Sequence, residues 1–490
     1  MILLQKKIPF LFLALTVFSL FSCKDKWEEH VALSNPVLAE DLMKQINANP
    51  DLTTFAELVV KAGLDDTLAA SKSFTVWAPS NDALKDLDAG IVNDDVKLKA
   101  FVRSHIANQA YFTTASSPSV NVKNLNGKNF VFTASTVDDI GIAKANQLVG
   151  NGVLHVIGQP LQVRENAWEF INNASVSTVQ KAFFKRLAFK IFNSSLAVVE
   201  GYAPNGDPIY KPGTGIVSVN QFFSRVANIG NEDEEFTYVV LTDDAFNAEK
   251  AKLSKYFEVS TADSTDSITS WHVAKDLVFR GKYLNGNFPD SIYSADSVKI
   301  HLEKSAIVST HKVSNGVVYV MNKIDYRLDH KFKPIKIEGE LNGSTSTIQM
   351  NMQTPKNLEI RTRTNQLTKK VYRHLFVNGH GVNNFWIKYP ITINKNIKYK
   401  VVWVAVNDFQ TGTFNMQLAF KTPTPITFTK LVELNNYNEV VLGEYQADRY
   451  YYFSGSHAVG TRGFPLDVFL TSSGTNPLTL DYIKLVPVFN

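Results

Sequence analysis

"FTVWAPSNDAL" at residues 74–84 and "FTYVVLTDDAF" at residues 236–246 match position for position without a gap. Each reads as an apolar strand running into a helix start. Ser80 and Thr242 stand where a hydroxyl accepts a hydrogen bond from a free backbone N–H, and Asp82 and Asp244 place negative charge in the first turn, where the helix dipole favours it. Two further blocks follow in the same order. "HIANQAYF" from His105 aligns with "HVAKDLVF" from His272, and "LVGNGVLHVIGQPL" aligns with "KVSNGVVYVMNKID". In the last block Asn151-Gly152 and Asn315-Gly316 are expected to supply the positive φ angles of a tight turn into an apolar strand. Three ordered matches imply a duplicated domain.

The first copy opens on "DLTTFAELVVKAG", which places Phe55, Leu58, Val59 and Ala62 on one helical face and ends at Gly63. The second copy is longer. "EGYAPNGDPIYKPGTG" and "TADSTDSITS", both rich in turn-forming residues, read as inserted loops. Together the blocks resemble the fasciclin (FAS1) domain: its first signature is similar to residues 74–84, its middle carries a histidine like His105 and His272, and its last strand follows an Asn-Gly turn. The likeness covers residues 35–162 and 163–330, with Leu241 where the family has proline. It implies a wedge of mixed sheet wrapped by helices, found in extracellular proteins of adhesion and surface attachment. It implies no shared catalytic site.

From residue 331 the pattern changes. "IKIEGEL", "STIQMNM", "LEIRTR", "FWIKYPITI", "KYKVVWVAVND", "FNMQLAF", "EVVLGEY", "RYYYFSG", "LDVFLTS" and "LTLDYIKLVPV" are short alternating segments separated by Asn, Gly, Pro and Ser. Such spacing predicts an all-β antiparallel sandwich or jelly roll over 331–490. The last segment resembles the closing strand of galactose-binding-like carbohydrate modules. The fold class expected for the whole chain is therefore α+β, two FAS1-like domains followed by the sandwich.

The other end of the chain carries its own signal. Lys6 and Lys7 precede the uncharged run "IPFLFLALTVFSL", which is too short to span a bilayer as a lasting helix, since that takes roughly 20 apolar residues. The single cysteine, Cys23, follows directly. Leu20-Phe21-Ser22-Cys23 resembles the lipobox of bacterial lipoproteins, so residues 1–22 read as a signal peptide and 23–34 as a lipidated tether. "CKDKWEEH" is similar to the export signal that sends lipoproteins of Bacteroidetes-type bacteria to the outer face of the outer membrane. Similar lipoproteins accompany nutrient importers of the SusC/SusD kind, which makes such an importer an expected partner beside the membrane itself.

Removing residues 1–22 leaves 468 residues with a formal charge of +2, and nothing favours nucleic acid. With 44% hydrophobic and 20% charged residues the composition is that of a globular protein. With no second cysteine to pair, the domains must be stable through core burial. No catalytic constellation, cofactor loop or metal-ligand spacing is present: the ten histidines are scattered, "GTGIVS" and "GHGVNN" lack a third glycine, and no Gly-x-Ser-x-Gly elbow occurs. "NEDEE" at 231–235 reads as a solvated acidic turn rather than a calcium loop. His105 and His272 read as structural, each fixing a neighbouring loop. What remains is binding. Sugars stack on exposed aromatic rings while amides and carboxylates take their hydroxyls. The candidates for a polysaccharide site are Asn383, Asn384, Trp386 and Tyr389 in "NGHGVNNFWIKY", with Asp448, Tyr450 and Tyr452 in "DRYYYF". In a strand Tyr450 and Tyr452 share one face. The rival expectation is a purely structural or adhesive surface protein without a glycan ligand.

Overall fold

The computed structural model describes residues 40–115, 119–340, 348–351, 357–455 and 462–489. The signal segment, Cys23 and the tether lie outside the described residues. Among the described residues no helix is long and apolar enough to cross a membrane. The chain divides into two compact units, one ending at Asn166 and one running from Ala167 to Asn490.

In the first unit the signature strand Phe74–Pro79 is second from one edge of a seven-stranded mixed sheet. It pairs in parallel with Gly152–Ile157 and antiparallel with Ile106–Ala107, so the first and third sequence blocks are neighbours in space. Both parallel strands are buried along their whole length, as a sheet covered on both faces requires. Helices Thr53–Lys61 and Asp95–Ser104 cover one face with Phe55, Leu58, Val59, Leu98, Phe101 and Val102. The expected stop is in place, with Gly63 at φ 65° one residue past the helix cap.

The second repeat builds the same core: Phe236–Leu241 pairs in parallel with Gly316–Met321 and antiparallel with Val278–Arg280. The expected caps form, Ser80 Oγ accepting from Ala83 N–H at 3.2 Å and Thr242 Oγ1 from Ala245 N–H at 3.3 Å. They precede a single 3-10 turn, Asp82–Leu84, in one repeat and a helix, Asp243–Ser254, in the other. The expected tight turn forms, Val149 pairing with Gly152 and Val313 with Gly316, but the asparagines do not take positive φ and the pair does more than turn the chain. Gly152 and Gly316 lie so close to the neighbouring strand that a Cβ would stand 2.1 Å from Phe74 O and 1.8 Å from Phe236 O. Glycine is there for that approach. The asparagines are cross-links: Asn151 accepts from Leu42 N–H at 2.8 Å and donates to the carbonyls of Leu68 and Ala70 at 2.7 and 2.8 Å. Asn315 repeats this with Ala167 N–H at 2.9 Å and the carbonyls of Ile229 and Asn231 at 2.9 and 3.0 Å.

Two readings of the second repeat are corrected. "TADSTDSITS" is not a loop but most of the helix Ala262–Ala274, N-capped by Thr261. Thr265 and Thr269 return their hydroxyls to the carbonyls four residues back, at 2.9 and 2.6 Å, so residues that favour turns are satisfied within a helix. Nor do His105 and His272 occupy equivalent places. The carbonyl of His105 accepts from Trp77 N–H at 3.0 Å, and the matching bond to Val239 N–H, at 2.9 Å, comes from Leu277. The strand that follows is displaced by five residues relative to the letter alignment.

His105 has the expected structural role. Its ring is fully buried, Nδ1–H donating to Phe101 O at 2.8 Å while Nε2 accepts from Leu161 N–H at 2.8 Å, which ties the helix end to the strand exit. Burial holds its pKa down at about 4. Because the unfolded imidazole takes up a proton near pH 6.5 and the folded one does not, the contribution is present above that pH and is lost as pH falls toward 4. We expect the first unit to lose up to about 3 kcal/mol between pH 7 and 4 through this group, and His105→Gln to flatten that slope in denaturation series.

The strands of the sandwich pair antiparallel, parallel pairing being confined to the isolated bridges Lys395↔Ala447 and Asn407↔Leu434 among the described residues. A four-stranded sheet (335–338, 482–488, 398–404, 440–446) and a five-stranded sheet (349–350, 386–391, 466–472, 414–420, 426–432) enclose Tyr389, Tyr399, Trp403, Met416, Leu418 and Leu470. A three-stranded sheet (358–364, 371–377, 478–480) stands beside them. Strands Val371–Val377 and Ile426–Val432 were not anticipated, and "LTLDYIKLVPV" is two strands in two sheets, divided at Asp481. "RYYYFSG" is not a strand. Only Tyr451 bridges, exchanging backbone bonds of 3.0 Å with Ile393.

That aromatic segment instead joins the sandwich to the second repeat within one unit. Tyr450 packs edge-on against Phe257 at 5.1 Å, its N–H donates to Glu258 O at 3.1 Å, and Lys395 N–H donates to Tyr256 O at 3.1 Å. The Lys395–Glu258 pair at 2.7 Å borders the contact.

Candidate functional site

The hairpin formed by Leu358–Thr364 and Val371–Val377 sets its register through pairs Glu359↔Phe376, Arg361↔His374 and Arg363↔Tyr372. Because side chains alternate along a strand, these six lie on one face. Thr479, opposite Phe376 on the third strand, joins them. Loops from the sandwich bring Asp408, Phe409 and Tyr437 to the same place: Arg363 pairs with Asp408, Tyr437 hydroxyl donates to Asp408 Oδ2 at 3.0 Å, and Phe409 meets the Phe376 ring at 4.7 Å.

At the centre of this cluster is His374, which is 1% exposed. Thr479 Oγ1 donates to Val406 O at 3.0 Å, so it accepts from His374 Nδ1–H at 3.2 Å, leaving Nε2 as a lone-pair acceptor. Burial first, then Arg363, holds the imidazole pKa down at about 4, so the ring is neutral at physiological pH. His374 Nε2, Tyr372 OH and Asp408 Oδ1 are all buried and all without a hydrogen-bond partner. Burial and the nearby Asp408 carboxylate push the Tyr372 phenol up to about 12. Buried polar atoms are almost always satisfied, so three orphans in one cluster mark a place that a buried water or an incoming polar group would complete. The two arginines are already occupied, Arg363 by Asp408 and Arg361 by Glu359 at 2.7 Å, with the Arg361 guanidinium over the Phe376 ring. The arrangement therefore offers hydroxyl acceptors and a phenol beside aromatic walls, with little net charge.

The residues singled out by sequence are placed differently. Trp386 is half-buried on the outer face of the five-stranded sheet, edge-on to Phe469 at 5.0 Å. Asn383 and Asn384 are exposed beside it, and Asn384 exchanges bonds with Gly474 at 2.7 and 3.2 Å to fix a turn. Tyr389 points the other way: it is fully buried between the sheets and its hydroxyl donates to Gly339 O at 2.9 Å, which removes it as a sugar platform. Tyr450 and Tyr452 do share a face, stacked at 5.2 Å, but both are 4% exposed, so neither ring is open to a ligand. Asp448 is exposed and takes the Tyr451 hydroxyl at 2.7 Å. Sequence reasoning missed Arg363, Tyr372, His374, Asp408 and Tyr437. For Arg363, Tyr372 and His374 the signal was the double alternation in "RTRTNQLTKKVYRHLF", two arginines and a Tyr/His pair two residues apart on either side of a polar turn, whereas nothing local marks Asp408 or Tyr437. Among the described residues no cluster of His, Cys, Asp and Glu is arranged to hold a metal ion, and in the 231–235 segment Glu234 pairs with Arg280 while Glu232 accepts from the Ser314 hydroxyl.

Comparison with known proteins covers both parts of the chain. Human periostin is 24% identical over 188 residues, 36% of this chain, and the chain spans 21% of periostin's length. Protein sll1483 of Synechocystis is 33% identical over 122 residues, 23% of this chain and 67% of that protein. Among solved structures, the FAS1 domain pair of the insect cell adhesion molecule fasciclin I aligns with a TM-score of 0.23 at 15% identity, over 57% of this chain and 98% of that one. The C-terminal CBM6 of the laminarinase LamC from Zobellia galactanivorans aligns with a TM-score of 0.20 at 11% identity, over 31% of this chain and 99% of that one. Residues 50–163 match the Fasciclin domain family. Through that domain the chain belongs to the fasciclin family.

Proposed function

We propose that this protein is a surface binding module whose C-terminal sandwich captures a neutral polysaccharide at the cluster centred on His374. The observation that carries the reading is the convergence of Tyr372 OH, His374 Nε2 and Asp408 Oδ1, buried and unpaired, beside arginines whose charge is already met. An anion would need free cationic donors. A polyhydroxylated ligand needs acceptors, a phenol and ring faces. In this reading Cys23 carries the lipid that holds the chain on the outer face of an outer membrane, and the protein acts beside a SusC/SusD-type importer by binding, not by catalysis.

Tyr372→Phe is the cleanest test. The hydroxyl is buried with no partner within the protein, so its loss does not destabilise the fold and is expected to raise stability by up to about 1–3 kcal/mol. Binding to a glycan identified on an array is expected to weaken roughly tenfold by calorimetry. Trp386→Ala is expected to leave the affinity as it is. The reverse pattern would move the site to the outer face of the five-stranded sheet. The anchor is checked separately: Cys23→Ser should shift the protein from the membrane to the soluble fraction.

A further inference from the structure

The second repeat carries an arm that the first lacks. Between helix Thr178–Arg186 and the cross-linked carbonyl of Ile229 the chain makes a ribbon of Ala188–Phe192 against Ile216–Asn220, continued by Val199–Tyr202 against Pro208–Tyr210. Of the 25 large apolar side chains exposed among the described residues, nine lie on this arm, among them Phe189, Ile191, Phe192, Leu196, Tyr202 and Ile209. Tyr202 is 71% exposed and Leu196 62%. Apolar side chains so concentrated on one projection mark an interaction surface.

We infer that the arm is where two copies of this chain associate, through antiparallel pairing of the Ile216–Asn220 edge about a two-fold axis at Ser218. Three observations favour a second copy. The nine side chains leave on the order of 700 Å² of apolar surface spread over both faces of the ribbon, Phe189 and Ile191 on one and Phe192 and Ile216 on the other, so a ribbon extended edge to edge by a second copy shelters part of it on each face. The tip is polar, Asn205-Gly206-Asp207 with an Asn205 to Asp207 bond of 2.6 Å, so the arm is built to dock along its side and not to insert into a bilayer tip-first. Its charges are Lys190, Glu200, Asp207 and Lys211, two of each sign, which suits a surface that must complement itself.

The register selects the edge. Asn193 N–H bonds Gly215 O and Gln221 N–H bonds Leu187 O, so by alternation residues 217 and 219 bond inward while the backbone groups of Ile216 and Ser218 face the open edge. A two-fold at Ser218 sets Val217 against Val219 of the partner copy and Ser218 against its equivalent, pairs that strands favour. The opposite edge would set Lys190 against Lys190, a pairing that blocks it.

The test uses residues 23–490 with Cys23→Ser, a chain without cysteine. Sedimentation equilibrium is expected to show reversible dimers at micromolar concentration, Ser218→Lys to weaken them at least tenfold, and Ser218→Cys to form a disulfide dimer under mild oxidation where Lys190→Cys does not. Monomers throughout, whether because the rest of the chain covers the arm or because neutral lipid vesicles take it up, would overturn the proposal. So would dimers indifferent to Ser218→Lys, or cross-linking through Lys190→Cys as fast as through Ser218→Cys.

Discussion

Replacing Asn315 by alanine is expected to destabilise the second unit by about 3–5 kcal/mol, among the largest effects available to a single polar side chain. Asn315 is 1% exposed and makes three bonds at once, to Ala167 N–H and to the carbonyls of Ile229 and Asn231. Alanine removes all three and leaves the N–H of a fully buried residue, Ala167, unpaired in the core. Asn315→Asp is a useful companion, because it keeps the acceptor but sets a buried carboxylate oxygen against the carbonyls of Ile229 and Asn231, so it should cost at least as much as alanine. Thermal denaturation is expected to show the transition of the second unit lowered by roughly 5–10 °C, with that of the first unit unmoved. Asn151→Ala should do the converse. A common shift of both transitions would mean that the cross-link is not local to its repeat.

Gly316→Ala is expected to be as damaging for a different reason. The added Cβ would stand 1.8 Å from Phe236 O, a backbone atom that cannot swing aside, at a φ of 146°. The parallel pair Phe236–Leu241 and Gly316–Met321 must part to admit it, at a cost of about 4 kcal/mol or more. Gly213 supplies the control. It sits at φ 81° with nothing within 4 Å of its Cβ position, so Gly213→Ala carries only the backbone penalty of about 1 kcal/mol. If both substitutions cost the same by chemical denaturation, close approach is not what glycine serves in the last block.

The duplicated core was legible because both strands of its parallel pair are continuous apolar runs with a cap or a glycine at the end. What failed was anything fixed by partners far along the chain. Matching His105 with His272 followed letters, whereas the equivalence is set by which carbonyl reaches Trp77 or Val239. "TADSTDSITS" looked like a loop because Ser and Thr compete for backbone bonds, and only the fold shows them bonding back within a helix. The tyrosines of "DRYYYF" have the composition of a strand, yet a contact with Phe257, nearly two hundred residues earlier, decides their place. The candidate site is the extreme case. Arg363, His374, Asp408 and Tyr437 come from two strands and two loops, and no short motif joins them.

In the proposed function the orphaned atoms around His374 await the hydroxyls of a sugar. A crystal structure of residues 23–490 with the oligosaccharide that binds best on a glycan array is the sharpest test. Sugar oxygens are expected within hydrogen-bond distance of Tyr372 OH, His374 Nε2 and Asp408 Oδ1. A ligand seated over Trp386 and Asn384 with the His374 cluster untouched, or no glycan bound at all, would refute it.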